Sequence, residues 1–213
     1  MSQPFDRGCE VPAPAELDES LDEFWSSNPF KVSELHNLSG YERNRTYLNI
    51  RGENFVDISF ITGADSDGDG RCVVPLDFDN DGRQDLIVRQ VGGGPIMAFK
   101  NQFPKKHWLR VSLQGVDSNR FGVGARLIVK AGGRKVVREL YPANTYNSQA
   151  PALVHFGLND ATNVDSLTIR WPTGKAQKLN NLPADRHIIV REGENVAHTI
   201  TPGQTIKLTK STP

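Results

Sequence analysis

The sequence is poor in cysteine, has no net charge and contains no long apolar run. Its two cysteines, Cys9 and Cys72, match no metal-ligand spacing and no disulfide framework, although an oxidising compartment would allow them to pair. Twenty-five basic residues balance 25 acidic ones, so the chain has no general attraction for nucleic acid or anionic membrane. No segment approaches the ~20 apolar residues that span a bilayer. We therefore expect no nucleic-acid partner and no membrane span.

The start of the chain, Met1–Glu10, lacks the basic region and apolar core of a signal peptide. This predicts either an intracellular protein or a chain that lacks its natural N-terminus.

Familiar catalytic motifs are also missing from the sequence. None of the five histidines lies in a recognised motif, and there is no Gly-x-Ser-x-Gly, no His-Glu-x-x-His and no dinucleotide fingerprint. Catalysis is thus the less favoured reading. A triad assembled from distant positions stays open, because triads are defined by geometry.

The most informative segment that is present runs from Asp77 to Asp85. Aspartates occupy its first, third, fifth and ninth positions, and Gly82 occupies the sixth. Four carboxylates this close repel one another unless a cation lies between them, and calcium accepts six to eight oxygen ligands in irregular geometry. The pattern predicts a Ca²⁺ site built from the side chains of Asp77, Asp79, Asp81 and Asp85 and the carbonyl of Arg83. The alternative is a metal-free turn, since Asp, Asn and Gly favour turns.

An EF-hand is a poor match for this loop. Position twelve would be a bidentate Glu, but here it is Val88. The flanking residues 73–76 and 86–88 are short apolar runs rich in β-branched side chains, which are typical of strands. The sequence therefore predicts a calcium loop between two strands.

A weaker copy of the loop lies upstream, where Asp65, Asp67 and Asp69 precede Gly70. Its ninth position is Val73, which cannot bind a metal. The alternatives are a second weak site, a helper to the first site, or an acidic turn without an ion.

The periodicity predicts a mainly β protein with one short helix over residues 14–26. Residues 46–62 are predicted to form a strand, a turn and a strand, and further strands are predicted at 72–76 and 85–90. Seven more follow Lys106: 107–114, 124–131, 134–141, 152–157, 164–171, 175–179 and 186–191. This spacing predicts a β-sandwich or barrel, with a hairpin at Ala131-Gly132-Gly133.

Basic residues cluster at that hairpin: Lys130, Arg134, Lys135 and Arg138. A solvated strand face is the favoured interpretation, and an anion site is the alternative.

Residues 77–88, Asp-Phe-Asp-Asn-Asp-Gly-Arg-Gln-Asp-Leu-Ile-Val, resemble the calcium loop of FG-GAP (VCBS) repeats, the blades of integrin-type β-propellers. Residues near 108–192 resemble the ASPIC/UnbV domain. The matching segments are 118–126 (Ser-Asn-Arg-Phe-Gly-Val-Gly-Ala-Arg), 155–158 (His-Phe-Gly-Leu), 170–174 (Arg-Trp-Pro-Thr-Gly) and, less closely, 147–149 (Asn-Ser-Gln). The two modules in this order are similar to the cartilage acidic protein family.

This resemblance implies calcium binding and an extracellular adhesion or matrix role, and some bacterial relatives are associated with enediyne biosynthesis. It divides the chain into an extension (1–45), a calcium-binding β segment (46–100), a sandwich (101–195) and a C-terminal strand or tail (196–213). A lone blade leaves sheet edges exposed, so we expect residues 46–100 to pack on the sandwich or to pair with another chain, including a second copy.

Three residues in the ASPIC/UnbV-like segments are candidates for binding: Asn119, Arg120 and Trp171. Turn formation and anchoring are the alternative roles. The overall prediction is a non-catalytic, calcium-binding module with a protein or glycan partner. For a glycan, exposed aromatic side chains would line the groove, and the candidates are Trp108, Tyr141, Tyr146 and Trp171. A natural-product biosynthetic protein is the remaining alternative.

Overall fold

A computed structural model describes residues 43–66, 70–90, 95–143, 146 and 148–201. The described residues form two compact units. The first contains residues up to Val73 together with Ile87–Phe99, and the second contains Val74–Leu86 and the residues from Lys100 onward. The predicted helix at 14–26 and Cys9 lie outside the described residues. Cys72 has no disulfide partner within them.

In the first unit, an antiparallel hairpin joins β1 (Tyr47–Ile50) to β2 (Asn54–Asp57). The predicted strand, turn and strand are present, but the second strand ends earlier than expected. A single helical turn, α1 (Ser59–Thr62), replaces the strand predicted up to residue 62. The reason is local: the Asp57 carboxylate accepts hydrogen bonds from the Ser59 amide (2.9 Å) and hydroxyl (2.5 Å), which turns the chain away from extended geometry.

The next three strands are β3 (Gly70–Leu76), β4 (Asp85–Gln90) and β5 (Met97–Phe99), in the sheet order β3-β4-β5. β3 and β4 match the strands predicted on either side of the acidic loop. β5 is only three residues long and was not predicted. The loop between β3 and β4, residues 77–84, belongs to the second unit.

The second unit contains two four-stranded sheets. Their strands are β6 (His107–Gln114), β7 (Arg126–Ala131), β8 (Arg134–Glu139), β9 (Val154–Asn159), β10 (Asn163–Arg170), β11 (Ala176–Pro183), β12 (Arg186–Arg191) and β13 (Ala197–Ile200). One sheet has the order β11-β10-β7-β8 and the other β13-β12-β6-β9. All pairs are antiparallel except β6 with β12, which run parallel.

A single apolar core lies between the inward faces of the two sheets. Alternate side chains of the central strands are buried, for example Leu109 and Val111 on β6 and Leu127 and Val129 on β7, all at 0 % exposure. The strands have this form because the sequence alternates apolar and polar residues with period two. The predicted mainly β fold with a sandwich is therefore confirmed.

The β7–β8 hairpin turns where the sequence predicted it. Gly132 and Gly133 both adopt positive φ angles (54° and 72°), which suit the type I′ turn that a two-residue hairpin favours. The strand register divides the basic cluster between two faces. Lys130 pairs with Lys135 on the exposed face, whereas Arg138 pairs with the buried Leu127 on the other face.

Candidate metal centre and its surroundings

The acidic loop is attached to the outer face of the sheet that contains β6. Arg110 on β6 donates from one terminal nitrogen to the Asp77 carboxylate and from the other to Asn80 Oδ1 (3.2 Å). The Asp77 side chain is fully buried and that of Arg110 is 8 % exposed. Arg110 also lies over the ring of Trp108, with its guanidinium carbon 4.8 Å from the ring centroid. A charge buried this deeply needs a partner, so the pair fixes the start of the loop.

The Asp77 carboxylate also shapes the loop that follows it. It accepts hydrogen bonds from the amides of Asp81 (3.1 Å) and Gly82 (2.8 Å). Gly82 has a φ of 92°, and a Cβ added there would overlap the indole Nε1 of Trp108. The loop requires glycine at this position for two physical reasons, the left-handed backbone and the close approach of an aromatic ring.

Asp85 closes the loop from its other end. It is 1 % exposed, and its carboxylate accepts hydrogen bonds from the amides of Phe78 (3.2 Å) and Asn101 (2.8 Å). These amide hydrogen bonds stabilise the buried charge of Asp85. Because Phe78 lies near the start of the loop and Asp85 follows its end, the bond between them also fixes the separation of the two ends.

Three of the four predicted ligand carboxylates converge. One oxygen from each of Asp77, Asp79 and Asp85 lies within 4.8 Å of the others. The donor set consists of oxygen alone, which fits a hard cation such as Ca²⁺. A Ca²⁺ ion bound there would be held by these three carboxylates.

The other two predicted ligand residues contact each other. Arg83 donates to Asp81 through its Nε (2.9 Å) and a terminal nitrogen. The hydrogen bonds from Arg83 lower the pKa of Asp81 to about 2. Asp79 in turn pairs with Lys100, at 2.5 Å between nitrogen and oxygen. Three basic side chains, those of Arg83, Lys100 and Arg110, thus pair with loop carboxylates. The side chains of Lys100 and Arg83 are partly exposed (45 % and 22 %).

The weaker upstream loop is only partly described. Asp65 accepts a hydrogen bond from Arg43 at 2.7 Å, within the first unit. Asp67 and Asp69 lie outside the described residues, so the predicted second site stays a prediction.

The ASPIC/UnbV-like segment 115–124 is organised by a residue that sequence reasoning missed, Glu192. Its carboxylate accepts hydrogen bonds from the amides of Val116 (2.9 Å), Asp117 (3.0 Å) and Ser118 (2.8 Å). It also accepts from the hydroxyls of Ser118 (3.0 Å) and Thr173 (3.1 Å). Burial raises the pKa of Glu192, but these bonds outweigh burial and lower the pKa to about 2. The amides of residues 116–118 thus form a nest, a set of successive backbone N–H groups that bind one anion, here the Glu192 carboxylate. We call this arrangement the Glu192 nest.

The three candidate binding residues of these segments have different surroundings. Asn119 binds both the amide and the carbonyl of Val123 (2.8 Å each), which fixes the turn. The guanidinium carbon of Arg120 lies 5.6 Å from the ring centroid of Phe121. Trp171 is 3 % exposed and donates to Gln177 Oε1 (3.0 Å). These contacts favour the structural alternative for Asn119 and Trp171.

Arg110 is flanked by two histidines on the outer sheet face, because it pairs in register with His155 on β9 and His187 on β12. Burial and the nearby Arg110 charge lower the pKa of each histidine to about 4. His187 Nε2 lies 2.9 Å from the Ser112 hydroxyl. Within the described residues, no carboxylate hydrogen-bonds to His187, so this pair does not form a triad.

A cavity of about 380 Å³ adjoins this face, with Arg110, Arg138, His155 and Tyr141 among its lining residues. Of the four aromatic candidates for glycan stacking, Tyr141 (60 %) and Tyr146 (65 %) are exposed. Trp171 is buried in the core, and Trp108 is half-buried.

Comparison with known proteins identifies the sandwich. Residues 115–197 match the family model described as ASPIC and UnbV. This part of the chain is therefore similar to the ASPIC/UnbV family. The match includes the Glu192 nest and the 170–174 turn, so the ASPIC/UnbV resemblance seen in the sequence motifs is confirmed.

The chain is also similar to cartilage acidic protein 1 from three vertebrates. Identity is 26 % over 215 residues for Mus musculus, covering 95 % of the chain and 30 % of the relative. It is 28 % over 182 residues for Homo sapiens (80 % and 25 %) and 32 % over 120 residues for Xenopus tropicalis (53 % and 18 %). The chain thus spans less than a third of the length of these relatives. Within the described residues, no helix is both long and apolar enough to cross a membrane.

Proposed function

We propose that this ASPIC/UnbV chain is a calcium-stabilised, non-catalytic binding module of extracellular matrix type. The observation that carries the proposal is the convergence of the Asp77, Asp79 and Asp85 carboxylates within 4.8 Å. The ion acts as a structural cross-link, because each of its three ligands also accepts a hydrogen bond from an amide of the loop backbone.

Calcium fits this loop better than magnesium. Mg²⁺ demands near-ideal octahedral geometry and keeps several waters, whereas Ca²⁺ accepts an irregular oxygen set. Asp77 and Asp85 are fixed by buried hydrogen bonds, whereas Asp79 is exposed and is held by Lys100 and one backbone amide. Carboxylates that the fold holds in place cannot rearrange into a regular octahedron, so they suit the ion with the more flexible coordination.

The matrix role draws on the similarity to cartilage acidic protein 1. Because the chain covers less than a third of those relatives, the role is a proposal for this chain. We likewise propose that residues 77–88 form the calcium loop of an FG-GAP blade, because of the loop pattern between β3 and β4.

Calcium titration followed by calorimetry and thermal unfolding tests the proposal. At free Ca²⁺ 100 times the dissociation constant, linkage adds ~2.7 kcal/mol to stability, which corresponds to a rise in Tm of roughly 5–10 °C. Asp79→Ala should abolish most of this rise, because it removes a ligand, and Asp79 is the most exposed of the three, so its loss should disturb the fold least. Asp160→Ala is the matched control: it removes an exposed carboxylate paired with Lys106, far from the loop in sequence.

Equal melting temperatures in Ca²⁺ and in chelator, with no heat of binding, would overturn the calcium proposal. If Asp79→Ala and Asp160→Ala lost the Ca²⁺ response equally, the loss would not be specific to the loop, and the loop would not be the Ca²⁺ site. Mg²⁺ at the same concentration should give a clearly smaller rise.

A further inference from the structure

The outward face of the β11-β10-β7-β8 sheet is strongly basic. The four strands together contain seven Lys or Arg residues and two acidic residues, although the whole chain is neutral. Five of the basic residues are exposed and share the outward face: Arg126, Lys130, Lys135, Arg170 and Lys178. Their face assignment follows from register, since their neighbours along the strands, such as Leu127 and Ile169, point into the core.

The register places like charges directly opposite one another. Lys130 pairs with Lys135 across β7 and β8, and Arg126 pairs with Arg170 across β7 and β10. Directly opposed like charges destabilise an antiparallel pair. Glu139 partly offsets the Arg126–Arg170 repulsion, but no acidic residue faces Lys130 or Lys135 in register. An anionic ligand lying across both pairs would attract all four cations and offset their mutual repulsion.

Most of these cations also have no acidic partner. Within the described residues, Arg126 bonds to Glu139 at 3.2 Å, and both side chains are more than half exposed. Lys130, Lys135, Arg170 and Lys178 form no ion pair there. Their charge is therefore available to a ligand at little cost in broken contacts.

We propose that this basic sheet face binds a sulfated polysaccharide. Adjacent strands are ~4.8 Å apart and alternate side chains along a strand ~6.8 Å apart, so the cations form a flat two-dimensional array. A flexible chain that carries sulfate and carboxylate groups at repeated intervals can contact several of them at once. The site is distinct from the acidic loop, and its function does not require calcium.

The chemistry of the face favours a polysaccharide over a nucleic acid. Single-stranded nucleic acids are bound by basic grooves that also present aromatic rings for base stacking. None of the uncharged residues that share this face is aromatic: they are Ile128, Val137, Ser166, Thr168, Ala176 and Asn180. The face therefore offers charge without a stacking platform.

Heparin is the probe for the experiment. Affinity for heparin should be measured by fluorescence anisotropy with the full chain, in chelator, at several salt concentrations. The double variant Lys130→Ser/Lys135→Ser should lose affinity roughly tenfold or more, because each basic side chain near an anionic surface contributes independently. The slope of log affinity against log salt should fall in magnitude by about one to two.

The matched control is Lys105→Ser/Lys106→Ser, which removes the same charge outside this sheet and should change affinity less than twofold. Equal losses in the two double variants would overturn the proposal, as would the absence of heparin binding by the wild type. A third contrary result would be equal or tighter binding of a single-stranded DNA of the same length, which would assign the face to nucleic acid. Thermal melts of each variant confirm that it is folded.

Discussion

The guanidinium group of Arg110 donates a hydrogen bond to the carboxylate of Asp77, and both side chains are shielded from solvent. The two residues are 33 positions apart in the chain. This ion pair attaches the acidic loop to the sandwich sheet through a buried contact. A buried pair is costly to break, because the remaining charge has no compensation.

Replacing Arg110 by Met should therefore lower the free energy of unfolding by about 3–5 kcal/mol. Chemical denaturation in chelator measures this change. The control is Arg126→Met, which removes an exposed ion pair with Glu139 and should cost less than about 1 kcal/mol. Similar losses in the two variants would show that the Arg110–Asp77 pair does not stabilise the fold.

Replacing Gly82 by Ala should destabilise the loop more than the same change at Gly174. Both glycines have left-handed backbones (φ of 92° and 86°), but a Cβ at Gly174 would meet no atom within 4 Å. We expect a loss of about 1 kcal/mol for Gly174→Ala from backbone strain alone. Gly82→Ala should lose roughly 2–4 kcal/mol, since it also overlaps Trp108. Equal losses in denaturation would contradict the close approach of the indole.

The Glu192 nest predicts a specific pH dependence. The pKa of Glu192 is about 2 in the folded chain and near 4.5 without these contacts. Because its folded pKa is depressed, its stabilisation is fully present above pH 4.5 and disappears as the pH falls toward 2. Glu192→Gln should thus be about 2–3 kcal/mol less stable at neutral pH, with the difference from wild type shrinking below pH 4.5. A constant difference across this range would argue against the nest.

His155 should titrate at a pKa of about 4, because burial and the charges of Arg110 and Arg138 disfavour the imidazolium form. Because the pKa of His155 is lower in the folded chain than its ordinary value, its contribution to stability is fully present above pH 6.5 and is lost as the pH falls through 4. Arg138→Gln should raise the His155 pKa, as measured by NMR of its ring protons. Arg126→Gln serves as the control and should leave it unchanged.

Much of the fold could be predicted from the sequence, because strand periodicity and turn residues are local signals. β6 and β12 match their predicted bounds, and Gly132-Gly133 marks the β7–β8 turn. The end of β2 was missed because the Asp57–Ser59 hydrogen bonds, rather than hydrophobic pattern, decide where that strand stops. Short elements such as α1 and β5 have too few residues to show a period.

The candidate site was predictable only in part. The spacing of the aspartates identified the loop, and three of its carboxylates converge as expected. The roles of Arg110 and Glu192 could not be predicted, since both depend on residues distant in sequence that tertiary packing brings together. Arg110 occupies an outward position of β6, between the inward-facing Leu109 and Val111, where a polar residue is ordinary, so the strand pattern did not indicate its role.

The parallel pairing of β6 with β12 has a consequence for synthesis on the ribosome. Leu109 meets its partner Arg186 only after most of the domain has been translated. Until then, the backbone N–H and C=O groups along one edge of β6 are unpaired, and such an edge can pair with strands of other chains. Long-range closure of this kind is slow. A chain that stopped before β12 would leave this edge open, so we expect it to aggregate rather than to form a smaller folded domain.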